Sequence, residues 1–115
     1  GIEVVFANND DMALGAIDAI KAAGLKPGED IIIVSADAVK AAFEAIVAGE
    51  LNCTIECSPL LGGQVVEVIN ALEAGETVDK RTITIEGAFD MDGGIEYAEG
   101  METIKAADVI DERAY

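Results

Sequence analysis

The sequence predicts an α/β fold, a three-layer, doubly wound, mainly parallel sheet of about four strands, and three observations lead there. A short apolar run stops at polar residues and gives way to a helical pattern three times over, at residues 2–7, 31–34 and 51–57. The middle run, Ile31, Ile32, Ile33 and Val34, has no polar alternation, the pattern of a central parallel strand covered on both faces. The apolar supply is Ala, Ile, Val and Leu, with three Phe, two Tyr and no Trp, which suits close helix-on-sheet packing. Strand–helix units joined by short loops wind right-handed into such a sheet.

Taken in order, residues 2–7 read as a buried strand and residues 10–23 as the first helix. Asp10 is its expected N-cap, because a carboxylate there accepts from the free N–H groups of the first turn. Asp11 adds charge that favours the positive end of the helix dipole. Ala13, Ala16, Ile17 and Ile20 recur at helical spacing, and Lys21, Gly24 and Pro27-Gly28 mark the stop. After the strand at 31–34, Asp37 stands before a helix over 38–48 whose apolar side is Val39, Ala42, Phe43, Ile46 and Val47, with Gly49 as the stop. Residues 51–57 form a third strand, more polar and so placed nearer an edge. Ser58-Pro59 is an N-cap with a first-turn proline, and Leu60, Leu61, Val65, Val68, Ile69 and Leu72 supply a helix closed by Gly75. Residues 82–86 alternate as a fourth strand. Residues 1–90 thus make the domain, and 91–115 a tail with a short acidic helix over 95–107.

Composition removes several function classes. Seven basic against twenty-three acidic residues give a net charge of −16, which repels nucleic-acid phosphates and anionic lipid headgroups. With no histidine, Ser-His and Cys-His hydrolases cannot be built within the chain. No apolar run approaches the roughly 20 residues of a membrane span, and Gly1 runs straight into a strand with no signal peptide in view, as expected of a piece of a longer chain. Cys53 and Cys57 would lie about 13 Å apart on one extended strand, too far to bridge, so both read as free thiols, Cys53 in the core. Asp90-Met91-Asp92-Gly93-Gly94 opens like a calcium loop, but Gly94, Ile95 and Met101 fail the later positions, so no metal is expected. Neither phosphate-binding glycine motif is present, and no cofactor is expected.

The carboxyl edge of the sheet is where open α/β folds bind ligands. It collects Asn8, Asn9 and Asp10, then Ser35 and Asp37, then Glu56, Cys57 and Ser58. These groups donate and accept hydrogen bonds without a strong cation or base, a set that suits a neutral polyol. The same residue types are also favoured helix caps, so capping alone explains each of them equally. Neighbouring Asp10 and Asp11 do not offer the separated carboxylates of glycoside hydrolysis, and no catalytic residue is assigned.

Three stretches carry a resemblance: Phe6-Ala7-Asn8-Asn9-Asp10-Asp11-Met12-Ala13-Leu14-Gly15-Ala16, Ile33-Val34-Ser35-Ala36-Asp37, and Thr54-Ile55-Glu56-Cys57-Ser58-Pro59. In order and spacing they resemble the carboxyl-terminal lobe of the type I sugar-binding proteins, the solute receptors of ABC importers. The resemblance implies that Asn9 and Asp37 bind sugar. It puts Cys57 where the family usually has a Gln or Asn, and Ala36 where some members stack an aromatic. Asn8 and Asp10 fall in supporting positions of the same ligand-binding set. The Cys-Ser-Pro-Leu-Leu-Gly run is similar to the galactofuranose-type branch. The resemblance further implies a monosaccharide ligand, an ABC permease as partner of the longer protein, and an extracytoplasmic place, in the periplasm or as a lipoprotein at the outer face of the membrane.

This chain would be half of a two-lobed clamp, expected to bind no sugar measurably alone and capable of self-association through its exposed sheet edge. The effector-binding half of a LacI-type repressor shares the fold and is the alternative. A small α/β enzyme and a response-regulator-like domain are further alternatives, the last lacking a lysine on residues 51–57.

Overall fold

Pairing preference and helix stops divide the chain into eleven elements and a closing turn. The computed structural model describes residues 1–115. In order these are β1 (Val4–Phe6), α1 (Asp10–Ala22), β2 (Ile32–Asp37), α2 (Lys40–Val47), β3 (Cys53–Glu56) and α3 (Gly62–Glu73), then β4 (Ala88–Asp90), β5 (Glu96–Ala98), β6 (Met101–Glu102), β7 (Ile104–Lys105) and α4 (Ala106–Val109), closed by a 3-10 turn, Ile110–Glu112. One five-stranded sheet runs β1-β2-β3-β4-β7, and β5-β6 is a separate hairpin. Neighbours in the large sheet are parallel except β3–β4. The mainly parallel α/β class is therefore the one the sequence predicts.

The core lies between one face of this sheet and the helices α1, α2 and α4. Ala13, Ile17 and Ile20 of α1, Ile33 of β2, Ala42, Phe43 and Ile46 of α2 and Phe89 of β4 belong to one buried apolar cluster. The Phe43 and Phe89 rings lie 4.7 Å apart, tilted by 49°, a favourable aromatic pair. Helix α1 stops as predicted at Gly24, where φ is 76°. Gly28 (φ 80°) is required for a second reason, since a Cβ there would meet the Gly49 carbonyl oxygen at 2.1 Å.

Several expectations are corrected. Strand β1 is not buried: it is the sheet edge, with Phe6 69% exposed. Nor is β2 covered on both faces, since Ile33 and Ser35 are buried while Ile32 is exposed. Strand β3 is not near an edge but is the middle strand of the large sheet. An interior strand tolerates polar residues when each has a partner. The Thr54 hydroxyl donates to Asp10, and the Asn52 amide joins the Ile33 N–H and the Gly28 carbonyl. The third helix begins at Gly62 rather than Pro59. Ser58 Oγ accepts from the Leu60 N–H at 3.2 Å instead, a local turn that competes with helix.

Helix α3 buries none of its residues. Residues 82–86 are not a strand, and Ile83 and Ile85 are exposed; the ladder begins where the Glu56 N–H meets the Gly87 carbonyl. The short acidic helix expected over residues 95–107 is not there; helix begins only at Ala106. The stretch before it forms β5, β6 and β7, turned by Gly100 at φ 72°, a conformation glycine adopts freely. The segment set apart as a tail adds β7 to the sheet and fully buries Ala106.

Candidate functional site

The register brings the three strand ends to one edge. Phe6 pairs with Val34, and Asp37 pairs with Glu56, so Asn9 and Cys57 lie just past the ends of β1 and β3, and Asp37 is the last residue of β2 between them. Asn8 is exposed, Asn9 and Asp37 are half-buried, and Cys57 is exposed.

The first turn exchanges two expected roles. The N-cap of α1 is Asn9, whose extended backbone and Oδ1, 2.9 Å from the Met12 N–H, satisfy an orphan donor. Its Nδ2 donor is left for another acceptor. Asp10, expected to be the cap, is 1% exposed and turned inward. One oxygen accepts from Ser35 Oγ at 2.5 Å and Thr54 Oγ1 at 2.7 Å, the other from the Val39 N–H at 2.8 Å. Both oxygens are thus engaged by the protein, behind the edge where Asn9 stands.

The second turn is held in an uncommon conformation. Asp37 and Ala38 have φ of 112° and 58°, values that cost a non-glycine residue of order 1–3 kcal/mol each. The surrounding bonds offset this. The Ala38 N–H donates to Thr54 Oγ1 at 3.2 Å, and the next N–H, of Val39, goes to Asp10. The chain therefore reverses at Asp37 rather than continuing into a helix. Helix α2 starts only at Lys40, with Val39 as an N-cap that makes no side-chain bond.

At the third strand end, Glu56 faces into the protein. Its Oε1 accepts from Arg113 Nη1 at 2.8 Å and from the Tyr115 hydroxyl at 2.9 Å, and its Oε2 from the Gly87 N–H at 3.1 Å. Burial alone would raise its pKa, but the Gly87 N–H, the Tyr115 hydroxyl and the Arg113 charge outweigh burial and hold it below the usual carboxylate range. Arg113 also donates from Nε to the Ala38 carbonyl at 2.5 Å and from Nη2 to the Tyr115 hydroxyl at 2.7 Å. Its guanidinium carbon lies 5.1 Å from the Phe43 ring centre, 5.5 Å from Phe89 and 4.2 Å from Tyr115, within cation–π range. The sequence reading did not single out Thr54, Arg113 or Tyr115. Thr54, a polar residue between Cys53 and Ile55, was a usable signal; nothing local marks Arg113.

The remaining candidates resolve simply. Asp90 Oδ1 accepts from the Asp92 and Gly93 N–H groups at 3.0 and 2.6 Å, a backbone turn rather than a cation loop. No group of three His, Cys, Asp or Glu side chains is arranged to hold a metal. Both cysteines are free; Cys53 is only partly buried, and burial, with the neighbouring Asp90 charge, pushes its thiol pKa up. No helix is long and apolar enough to cross a membrane.

This architecture, with polar turns after adjacent parallel strands, is matched by known proteins. Residues 1–77 fit the family of periplasmic binding protein domains. The chain belongs to that family. It is 42% identical over 82 residues to the galactofuranose-binding protein YtfQ of Escherichia coli, across 70% of this chain and 26% of that protein. A Mycobacterium smegmatis protein solved in complex with β-D-fucofuranose is 49% identical, with a TM-score of 0.73 over 78% of this chain and 30% of that one. The periplasmic binding component of an arabinose ABC transporter from Shewanella sp. ANA-3, bound to L-arabinofuranose, is 38% identical. Its TM-score is 0.75 over 97% of this chain and 33% of its own. The chain thus spans about a quarter to a third of the length of these relatives, of which the Escherichia coli and Shewanella proteins are binding proteins rather than enzymes.

Proposed function

We propose that this chain is part of the sugar-binding lobe of an extracytoplasmic receptor that hands a monosaccharide to an ABC permease. The observation that carries the reading is the edge itself. The Nδ2 of Asn9, the Asp37 carboxylate and the Cys57 thiol stand at adjacent strand ends. A carboxylate accepting from neighbouring hydroxyls, beside an amide donor, is the chemistry a neutral sugar needs. Asp10 sits behind them as a support, and exposed Asn8 flanks them. We infer further that the sugar is in its furanose form, because galactofuranose, fucofuranose and arabinofuranose appear with the relatives described above. A thiol is a weak hydrogen-bond partner, so Cys57 would contribute mainly contact and shape.

A chimera tests the reading. Residues 1–77 would replace the matching segment of the Escherichia coli galactofuranose-binding protein, with calorimetry against furanose and pyranose sugars. Binding of a furanose, lost on Asp37→Asn with folding intact, is the expected result. A folded chimera that binds no sugar, or binds equally well after Asp37→Asn, overturns it.

A further inference from the structure

One guanidinium joins two of the strand ends at the candidate site. Arg113 Nε donates to the Ala38 carbonyl at 2.5 Å, Nη1 to Glu56 Oε1 at 2.8 Å and Nη2 to the Tyr115 hydroxyl at 2.7 Å. The Tyr115 hydroxyl donates onward to the same Glu56 oxygen at 2.9 Å. Asp37 and Glu56 are register partners on β2 and β3, so this single planar group spans the strand ends that carry Asp37 and Cys57. It lies over the buried rings of Phe43 and Phe89, and the Arg113 and Glu56 side chains are only 13% and 17% exposed. A flat group fixed by rings and by three acceptors has one position, which a flexible ammonium would not have.

The carbonyl that Arg113 grips belongs to the strained part of the site. Asp37 and Ala38 have φ of 112° and 58°, values that a non-glycine residue keeps only where its surroundings impose them. The peptide between Asp37 and Ala38 is held by Thr54 Oγ1 on its N–H and, at 3.4 Å, by the Cys57 N–H on its carbonyl. The next peptide is held at both ends, its N–H by Asp10 and its carbonyl by Arg113. Asp10 alone would leave that peptide free to turn about one bond; Arg113 removes the freedom. The Asp37 carboxylate has no partner among these bonds, so the backbone alone aims it.

We propose that Arg113 is a positioning residue for sugar recognition, holding the Asp37–Ala38 turn in the form that presents the Asp37 carboxylate. The proposal rests on the sugar-binding reading above and adds the group that keeps the site formed in the absence of ligand. A receptor whose competent form is only partly populated binds more weakly by that fraction. Without the guanidinium, the turn relaxes toward the backbone angles its residues prefer. A turn that is competent about a tenth of the time binds about tenfold more weakly.

A longer chimera tests this, with residues 1–115 in place of the matching segment of the Shewanella arabinose-binding component, which aligns with 97% of this chain. L-Arabinose is the probe, and Kd is measured by calorimetry at a temperature where circular dichroism shows every variant folded. Arg113→Lys should weaken binding about tenfold. Ile46→Ala, which empties a fully buried position on α2, should lower the melting temperature and leave Kd unchanged. Adding Ala38→Gly to Arg113→Lys should recover most of the lost affinity, because glycine takes positive φ freely and needs no clamp. Without sugar, Arg113→Lys should speed hydrogen exchange more at the Ala38 and Val39 amides than at those of Ile17 and Ile20 in α1. A wild-type chimera that binds no sugar would sink the receptor reading and this proposal with it. If the wild type binds, the role of Arg113 alone is overturned by full affinity in Arg113→Lys or an equal loss in Ile46→Ala. It is overturned equally by no recovery with Ala38→Gly, or by exchange that rises uniformly.

Discussion

Replacing Asp10 by alanine removes an acceptor that three donors share. Ser35 Oγ, Thr54 Oγ1 and the Val39 N–H would each lose their partner in a region where Ser35 and Thr54 are 2% and 0% exposed. An unsatisfied buried donor costs about 1–3 kcal/mol. The two hydroxyls can turn toward other acceptors, so the expected loss is about 3–4 kcal/mol rather than the full sum. Against the roughly 6–17 kcal/mol expected for a domain of this length, that is a large fraction. Asp10→Asn separates charge from hydrogen bonding. Its carbonyl can take the Val39 N–H while its amide donates to the hydroxyl oxygens, so about 1–2 kcal/mol should be lost. Asp11 supplies the control, since it is exposed in the same helical turn and its loss removes only the dipole interaction, about 0.3–1 kcal/mol. Urea unfolding followed by circular dichroism should rank the variants Asp10→Ala, Asp10→Asn, Asp11→Ala in order of decreasing damage. Equal costs for Asp10→Ala and Asp11→Ala would show that the buried network is not what Asp10 contributes.

The same geometry makes four further predictions. Asn9→Ala should cost about 1 kcal/mol through the lost cap, whereas Asn9→Ser should keep the cap and, in the chimera, lose sugar affinity; unchanged affinity would mean Asn9 only caps. Glu56 protonates near 4.5 when unfolded and lower when folded, so its contribution is complete above about that pH and fades as pH falls through the folded value. The melting-temperature gap between wild type and Glu56→Gln should therefore close below pH 4.5, and a constant gap would contradict the assignment. Arg113→Lys should lose about 2–4 kcal/mol in urea titrations, since an ammonium cannot reproduce the planar fork or the three ring contacts; full retention of stability would refute that. Cys57 should react with an aromatic disulfide reagent well before Cys53, which is partly buried with its thiol pKa raised; equal rates would contradict this.

Much of the helical half of the fold was legible because periodicity and stop residues agree there. Ala13, Ile17 and Ile20 of α1 and Ala42, Phe43 and Ile46 of α2 are buried as expected, while Val47 is 46% exposed, and both helices end two residues before their glycines. The strands are harder to read, because a strand's polarity does not report its place in the sheet. In β3, Thr54 and Glu56 are polar because the interior needs them, one to bind Asp10 and the other to bind Arg113. At residues 82–86 the alternation was real, but alternation specifies a face and does not supply a neighbouring strand. The Asn9–Asp10 exchange has a similar origin. Both residue types cap helices, and only the depth of Ser35 and Thr54 beneath the turn decides which one faces in.

The three turns of the candidate site are held by different devices, and this bears on which residues are free for a ligand. The first is fixed locally, by Asn9 on Met12. The second is fixed from beneath by Asp10 and Thr54 acting on the Val39 and Ala38 N–H groups, and from the chain end by Arg113 on the Ala38 carbonyl. The Tyr115 carbonyl adds a bond to the Lys40 N–H at 2.7 Å. The third is fixed through Glu56, gripped by the same Arg113 and by Tyr115. Each device occupies the side chain that performs it, with one exception: Asn9 caps through Oδ1 and keeps its amide donor. Sequence alone groups Asn9, Asp10, Asp37 and Glu56 as equivalent polar edge residues. The hydrogen bonds divide them into two that carry the backbone, Asp10 and Glu56, and two, Asn9 and Asp37, that keep a polar group with no partner in the chain. A substitution in the first pair should therefore act on affinity through stability, and one in the second pair directly.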